Sequence, residues 1–447
     1  MQTGGPISLR DPIRFPAMPP AAADAVVIGG GIAGVMTALY LAEAGWRVVL
    51  CEKGRIAAEQ SSRNWGWVRQ QGRDPAELPI MIEALRLWQG LDRRLGDAVG
   101  LRRAGTTYLA ARQADLENFA AWLPHARAHG LDTRLLSRAE LEAMMPNAAG
   151  WIGALRTSDD ARAEPWTAVP AIAGLAAQAG VTICEECAVR GVETAAGRVS
   201  GVVTEKGRIA AEQVLLAAGA WSSLFAGNAG LRVPQLAVRA TVVATGAMPE
   251  IHAGNAADPG FAFRRRNDGG YTLAPGIGHD FWIGPTAFRD LRHFLPQIRR
   301  DLRHTRLRPA APSGYPDAWG TPRRWALDRE SPFERLRVLD PPANPVRIAR
   351  LRRDFARAFP GLGSVPLTRA WAGMIDVMPD QVPILDETPL PGLYIATGLS
   401  GHGFGIGPGI GRVMADLMLG RPPGHDLRRF RFGRFSDGSP VELGPSI

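Results

Sequence analysis

The stretch from Ala25 to Glu52 constrains the fold more than any other part of the chain. Ala25 to Ile28 is a short apolar run of strand type, Ile32 to Ala44 places apolar residues at helical spacing, and Arg47 to Cys51 is a second strand. Between the first strand and the helix lies Gly29-Gly30-Gly31-Ile32-Ala33-Gly34, which satisfies G-x-G-x-x-G. Gly29 permits the tight turn, Gly31 lets a pyrophosphate approach the backbone, and Gly34 lets helix and strand pack closely, while the helix N-terminus attracts the anion. Glu52 ends the unit, where a carboxylate accepts hydrogen bonds from the ribose hydroxyls of an adenosine. Strand, motif, helix, strand and acid in this order predict a dinucleotide site. An acid rather than an arginine at that position argues against the 2′-phosphate of NADP.

The rest of the chain is long enough for a second domain: 447 residues, 46% hydrophobic and 21% charged, describe a globular protein. The apolar stretch from Ala21 to Leu50 is interrupted by Asp24, the glycines at 29 to 31, Glu43, Gly45 and Arg47, so no transmembrane helix is expected. Cys51, Cys184 and Cys187 form no even disulfide framework, and the start of the chain has no secretory pattern; a cytoplasmic compartment is the expectation. Lys53 and Lys206 are the only lysines, so arginine supplies 50 of the 52 basic residues. These are spread among 43 acids rather than gathered in a block, which speaks against a nucleic-acid partner despite the net charge of +9.

Residues 1 to 22, with five prolines, read as an irregular arm. A helix is expected from Glu77 to Leu95, and a β-meander from Val181 to Ala218 with turns near Ala196-Gly197 and Lys206-Gly207. Strands follow at Val238 to Ala244, Tyr271 to Ala274 and Phe281 to Ile283, then helices near Ala287 to Arg306 and Pro345 to Phe359. The pattern ends with strand Leu393 to Ala396, a glycine-rich loop, and a helix from about Ile406 to Leu419.

Two loops carry candidate chemistry. In Gln60-Ser61-Ser62-Arg63-Asn64-Trp65-Gly66-Trp67, hydroxyls, an arginine and exposed backbone suit a pyrophosphate or a ring edge, with Trp65 or Trp67 facing an aromatic cofactor. The same residues also describe a plain polar loop with two partly buried tryptophans. In Thr397-Gly398-Leu399-Ser400-Gly401-His402-Gly403-Phe404-Gly405-Ile406-Gly407-Pro408-Gly409, the glycines allow backbone amides to converge at a helix start, which suits an anionic ring carbonyl such as that of a reduced flavin.

Taken together, the βαβ unit with Glu52, the strand leading into Ala217-Ala218-Gly219-Ala220-Trp221, the W-x-G segment at Trp371 to Gly373 and the G-L-S-G-H-G-F run resemble the FAD-dependent amine and amino-acid oxidoreductases, over residues 23 to 422. That family includes glycine oxidase, D-amino-acid dehydrogenase, sarcosine oxidase and gamma-glutamylputrescine oxidase. The resemblance implies an α/β fold: a Rossmann-type FAD-binding domain with a doubly wound sheet and β-meander, and a mixed antiparallel-sheet substrate domain. It divides the chain into FAD-binding segments 23–96, 158–228 and 366–425, substrate segments 97–157 and 229–365, and a tail at 426–447. It also implies FAD, with pyrophosphate at Gly29, Gly31 and Gly34, ribose on Glu52 and adenine near Val189. The ring system would lie between Ser61, Ser62, Arg63, Asn64, Trp65 and Gly66 on one side and Gly398, Ser400, Gly401, His402, Gly403 and Phe404 on the other, with Gly219 at the edge. A C–N bond of an amine or amino acid would pass a hydride to flavin N5, giving an imine that water hydrolyses, with O2 or a quinone as final acceptor.

Arg63, Trp371, Asp376 and His402 are the expected catalytic-site residues. Glycine-oxidase-like members read roughly L-R-P after W-x-G, with the arginine on the substrate carboxylate; here Met374, Ile375 and Asp376 stand instead, and Asp376 would favour a cationic or polar amine. Arg264 and Tyr271, with neighbouring Arg265 and Arg266, are candidates for a relocated clamp. His402 reads either as a contact to ring or substrate or as a loop histidine satisfied by backbone. Cys184-Glu185-Glu186-Cys187 matches C-x-x-C, but residues three apart in a strand face opposite ways and no second pair exists, so no metal site is expected. Two alternatives stay open: a quinone-linked dehydrogenase whose arginine-bearing helices, at 287 to 306 and 346 to 357, give peripheral membrane contact, and a non-catalytic FAD-binding subunit.

Overall fold

The computed structural model describes residues 1–146 and 148–445, and the backbone alone of Asp301. Its centre is a six-stranded sheet in the order Thr182–Cys184, Val48–Cys51, Ala25–Ile28, Gln213–Leu216, Leu393–Thr397, Ile384–Glu387. The first five run parallel and the last is antiparallel. Its inner strands are buried on both faces, which explains their unbroken apolar sequences. Side chains still alternate between two cores: Val27, Leu50 and Leu215 face the helices Ile32–Glu43, Leu78–Leu95, Pro165–Gln178 and Gly403–Met418. Val26, Val49 and Leu216 face the meander Val189–Ala195, Arg198–Thr204, Gly207–Ala210. The first meander turn has positive φ at both Ala196 and Gly197, the geometry that matches the twist of a tight hairpin.

The second domain is an eleven-stranded mixed sheet. Its two longest strands, Leu236–Thr245 and Leu367–Val377, pair antiparallel from Leu236↔Val377 to Thr245↔Leu367. Leu367–Val377 therefore belongs to this sheet along its whole length, and the expected boundary at 366 falls on the wrong side of the strand. The single helix expected near 287 to 306 is instead Pro285–Arg289 and Leu291–Asp301 followed by a 3-10 turn. The break falls at Asp290, whose fully buried carboxylate binds Arg232 and Arg289.

The first 22 residues are less irregular than their prolines imply. Gln2–Thr3 adds a parallel edge to Leu367–Val377. Further on, the arm crosses the first sheet, where buried Glu185 accepts hydrogen bonds from the amides of Arg14 (2.6 Å) and Phe15 (3.2 Å) as well as Ile56 (2.7 Å). The C-terminal segment is likewise fastened, with Phe430 fully buried and Arg434 paired to Asp380 at 2.8 Å. Replacing Glu185 with alanine strands three backbone donors, so urea unfolding should show a loss of about 3 kcal/mol. Glu185→Gln, which keeps one acceptor oxygen, should lose less; wild-type stability in both variants would refute the anchoring role.

Candidate functional site: a cofactor cleft between the two sheets

A cleft of about 460 Å³ runs from the C-terminal ends of the parallel strands to the face of the second sheet. The glycine motif floors one end. A Cβ on Gly34 would lie 2.1 Å from the Gly29 carbonyl oxygen, and one on Gly29 would lie 2.5 Å from the Ala217 oxygen, so both glycines are required by helix-strand packing. A Cβ on Gly31 meets only Ser61 Oγ at 3.2 Å and faces the cleft. Glu52 is gripped by the chain itself: the Gly30 amide donates to Oε2 and the Gly54 amide to Oε1, each at 2.7 Å. Burial raises its carboxyl above the ordinary value, with Lys53 and these amides opposing the shift. Ser61 Oγ accepts from the Ile32 amide at 2.9 Å, tying the 60–63 helix to the first turn of Ile32–Glu43.

At the other end the Gly398–His402 loop leads into helix Gly403–Met418, whose first amides open on the cleft. Gly398, Ser400 and Gly401 all have positive φ. The glycines at 405, 407, 409 and 411 lie inside the helix and serve packing instead of anion binding. A Cβ on Gly407 or Gly411 would lie 2.4 or 2.3 Å from Ile32 or Met36, and one on Gly409 would lie 2.6 Å from the Ile80 oxygen.

Glu52, Ser61, Asn64, Trp65, Val189, Gly219, Ser400, Gly401, His402, Gly403 and Phe404 line the cleft with Gly29 and Gly31. Gly34, Ser62, Gly66 and Gly398 stand behind its wall and shape it: Gly66, at φ +79, accepts no Cβ because Arg264 Nε would be 2.6 Å away. Of the expected catalytic group, Trp371 lies outside the lining, its Nε1 donating to the Arg63 oxygen at 3.0 Å. Arg63 reaches the cleft, but it donates to the Ala58 oxygen, the Ala372 oxygen and Asp340 Oδ1 at 2.7 to 2.9 Å and so staples three segments together.

Asp376 also lines the cleft, yet its Oδ2 accepts from the Gly398 amide at 2.8 Å and from Gln235 Nε2 at 3.0 Å. Burial raises its carboxyl above the ordinary value, opposed by the Gly398 amide among other hydrogen bonds. Asp376 thereby joins the second sheet to the glycine-rich loop while still lining the cleft.

Arg264 and Tyr271 do not build a relocated clamp. Arg264 is buried behind the Trp65–Gly66 turn and pairs with Glu164 at 2.8 Å. Tyr271 lies in the second-sheet core, its hydroxyl accepting from the Ile251 amide at 2.9 Å. Arg266 Nη1 donates to the Tyr271 oxygen at 2.6 Å, and Arg265 lies over the Tyr271 ring. The cysteine reading also needs correction: strand Thr182–Cys184 ends before Glu185, and the turn through Glu186, φ +49, brings Cys187 back so that all three thiols share one core cluster. Among the described residues no group of side chains is arranged to hold a metal ion.

The sequence reading missed Arg69, Arg73 and Glu77. Arg69 lines the cleft, held from behind by the amides of Gln70 and Gln71, which donate to buried Asp160 at 2.7 and 3.3 Å. Among the described residues no carboxylate lies within ion-pair distance of Arg69. Arg73 and Glu77 are both buried, 3.9 Å apart, and meet His402. The signal was present as Arg69-Gln70-Gln71-Gly72-Arg73, directly after the tryptophan loop.

A glycine floor, the cleft-lining Glu52 carboxylate and a helix N-terminus at the far end suit an extended FAD, which supplies two-electron oxidation when bound. The family model described as FAD dependent oxidoreductase (DAO) matches residues 24–417. The chain belongs to this family. The L-amino acid deaminase from Proteus myxofaciens, solved in complex with anthranilate, has a TM-score of 0.90 and 31% identity to the chain, covering 98% of each. Sarcosine oxidase subunit beta of Rhizobium meliloti (strain 1021) is 27% identical over 424 residues, 93% of this chain and 89% of that protein. Glycine oxidase of Pseudomonas aeruginosa is 29% identical over 410 residues, 89% and 95% of the two chains. The chain is thus a FAD-dependent oxidoreductase of the amine and amino-acid type. Glu52→Ala should weaken FAD binding about 10- to 100-fold in a flavin-fluorescence titration of the apoprotein. An unchanged dissociation constant would remove Glu52 from the cofactor site.

Proposed function

We propose that the protein oxidises the Cα–N bond of an amino acid to an imine, which water hydrolyses, and that Arg69 holds the substrate carboxylate. The observation that carries this reading is a guanidinium in the cleft wall with no carboxylate partner among the described residues. Arg69 also donates to the Gln71 oxygen and lies 5.8 Å from the Tyr108 ring centroid, so its head is oriented before any ligand arrives. The relatives support the class, since glycine, sarcosine and L-amino acids all present a carboxylate beside the C–N bond. No residue is assigned as an obligatory base; placement of the C–N bond over the cofactor by Arg69 and the loop at 398–402 is the chain's contribution.

The test is anaerobic flavin absorbance titrated with D- and L-amino acids, N-methyl amino acids, opines and polyamine derivatives. Bleaching by amino acids is expected, and Arg69→Gln should raise their KM about 100-fold while leaving decarboxylated amines unaffected. Bleaching by amines alone would overturn the carboxylate reading.

A second reading concerns the electron acceptor. Phe288, Leu291, Leu295, Leu302, Leu307 and Trp319 are all at least 41% exposed. They lie on or beside Pro285–Arg308 with exposed Arg289, Arg292, Arg299, Arg303 and Arg306. Apolar side chains among arginines fit an anionic lipid surface, where a membrane quinone would be in reach. No helix among the described residues is long and apolar enough to cross a membrane, so the contact is peripheral. The protein should cosediment with phosphatidylglycerol vesicles, and the pair Phe288→Ser, Trp319→Ser should lower partitioning at least about tenfold. Equal binding of neutral and anionic vesicles, or none, would sink this reading.

A further inference from the structure

His402 stands in the cleft wall at the start of the last helix, where an imidazole invites the reading of a general base. Its surroundings point elsewhere. Arg73 Nη1 lies 2.5 Å from His402 Nδ1, and Arg73 Nη2 donates to the His402 carbonyl oxygen at 2.8 Å, so one guanidinium grips ring and backbone together. Guanidinium has no lone pair to offer, so Nδ1 must be the acceptor. The ring hydrogen then resides on Nε2.

We propose that Arg73 is a positioning residue that fixes His402 as an uncharged imidazole with Nδ1 accepting and Nε2–H donating. In this state the ring takes up no proton, and its remaining N–H is the one that meets the Gln381 backbone. The inference rests on the reading of the cleft as the FAD site, and it deepens that reading by fixing the charge of the glycine-rich loop.

Several features support Arg73 in this task. Its side chain is 1% exposed, its Nε donates to the Arg69 oxygen at 3.2 Å, and its own carbonyl accepts from Trp122 Nε1 at 3.2 Å. Burial lowers Arg73 to about 10, still charged at neutral pH, and raises Glu77 to about 7. The groups facing His402 are Arg73, Arg69, Glu77, whose Oε1 lies 3.6 Å from Nδ1, and the backbone of Gln381 in the opposite wall. Burial first, then Arg73 and Arg69, hold the imidazole well below its ordinary value, while Gln381 opposes them. Removing Arg73 deletes a cation beside Nδ1, which raises the histidine, and it also releases Glu77 from the charge that lowers it, so the two groups then share their proton as neighbours.

The test is NMR of the FAD-loaded protein carrying 13C-labelled histidine, with the His402 signal assigned by its loss in His402→Gln. In the wild type that signal should not titrate between about pH 5 and 8. In Arg73→Gln it should titrate inside that window, at least about one pH unit higher. Arg73→Gln/Glu77→Gln should drive it down again, and Arg73→Lys, which keeps a cationic donor, should restore the wild-type silence. A residue that merely filled space would lower the melting temperature without moving this titration.

Wild-type His402 titrating at an ordinary histidine value, or Arg73→Gln leaving it silent, overturns the proposal. If Arg73→Gln does not fold, the wild-type titration together with that of Arg73→Lys decides, because titration in either overturns it. FAD uptake is measured separately, so a protein that takes up no FAD fails the cofactor reading rather than this one. The NMR readout also stands whether or not any amino acid bleaches the flavin.

Discussion

The contact on which the rest of the structure depends is the packing of helix Gly403–Met418 against Ile32–Glu43. Every second residue from Gly403 to Gly411 is glycine, and Gly407 and Gly411 sit where a Cβ would collide with Ile32 and Met36. This close approach brings the last quarter of the chain onto the first. It aims two helix N-termini, at Ile32 and Gly403, into the same cleft, where their amide dipoles would hold anionic groups of a bound FAD. A helix held away by a larger side chain would carry the glycine-rich loop, and His402 with it, out of register.

The second sheet is joined to this pair of helices by polar ties. Asp376 reaches from strand Leu367–Val377 to the Gly398 amide, and Gln235 Nε2 donates to Asp376, Thr397 Oγ1 and the Gly219 oxygen. Arg63 binds Ala58 on its own segment, the Ala372 oxygen on the long strand and Asp340 beyond it. These side chains, buried apart from Asp340, hold two separately packed sheets at a fixed spacing, and an unsatisfied buried partner in such a network costs more than a neutral hydrogen bond contributes. Arg63 and Asp376, chosen from the sequence as site residues, both line the cleft and act as ties in its wall.

The legibility of the chain followed the range of the interactions. Ala25–Ile28, Ile32–Glu43, Val48–Cys51 and the meander depend on local periodicity and on turn residues such as Ala196-Gly197. The first three matched the sequence reading, while the meander covers only 189–210 of the expected 181–218, the flanking strands Thr182–Cys184 and Gln213–Leu216 joining the first sheet. The place of Glu52 in the cleft was readable because the segments that hold it lie in or beside its own βαβ unit. Arg264 and Tyr271 were misjudged because strand alternation reveals opposite faces without revealing which face meets the cleft. Glu164, 100 residues away, claims Arg264. Arg73 and Glu77 were missed because their meaning depends on His402, 329 residues further along for Arg73.

The sequence alone determined the βαβ unit with its glycine motif and the family, because these rest on residue types at fixed short spacing. The tertiary structure decided which polar side chains line the cleft and which fasten its walls. Burial and partnership are properties of segments brought together, and no local pattern encodes them. The same arginine chemistry thus yields a staple at Arg63, a buried pair at Arg264, a half-buried head in the cleft wall at Arg69 and a grip on an imidazole at Arg73.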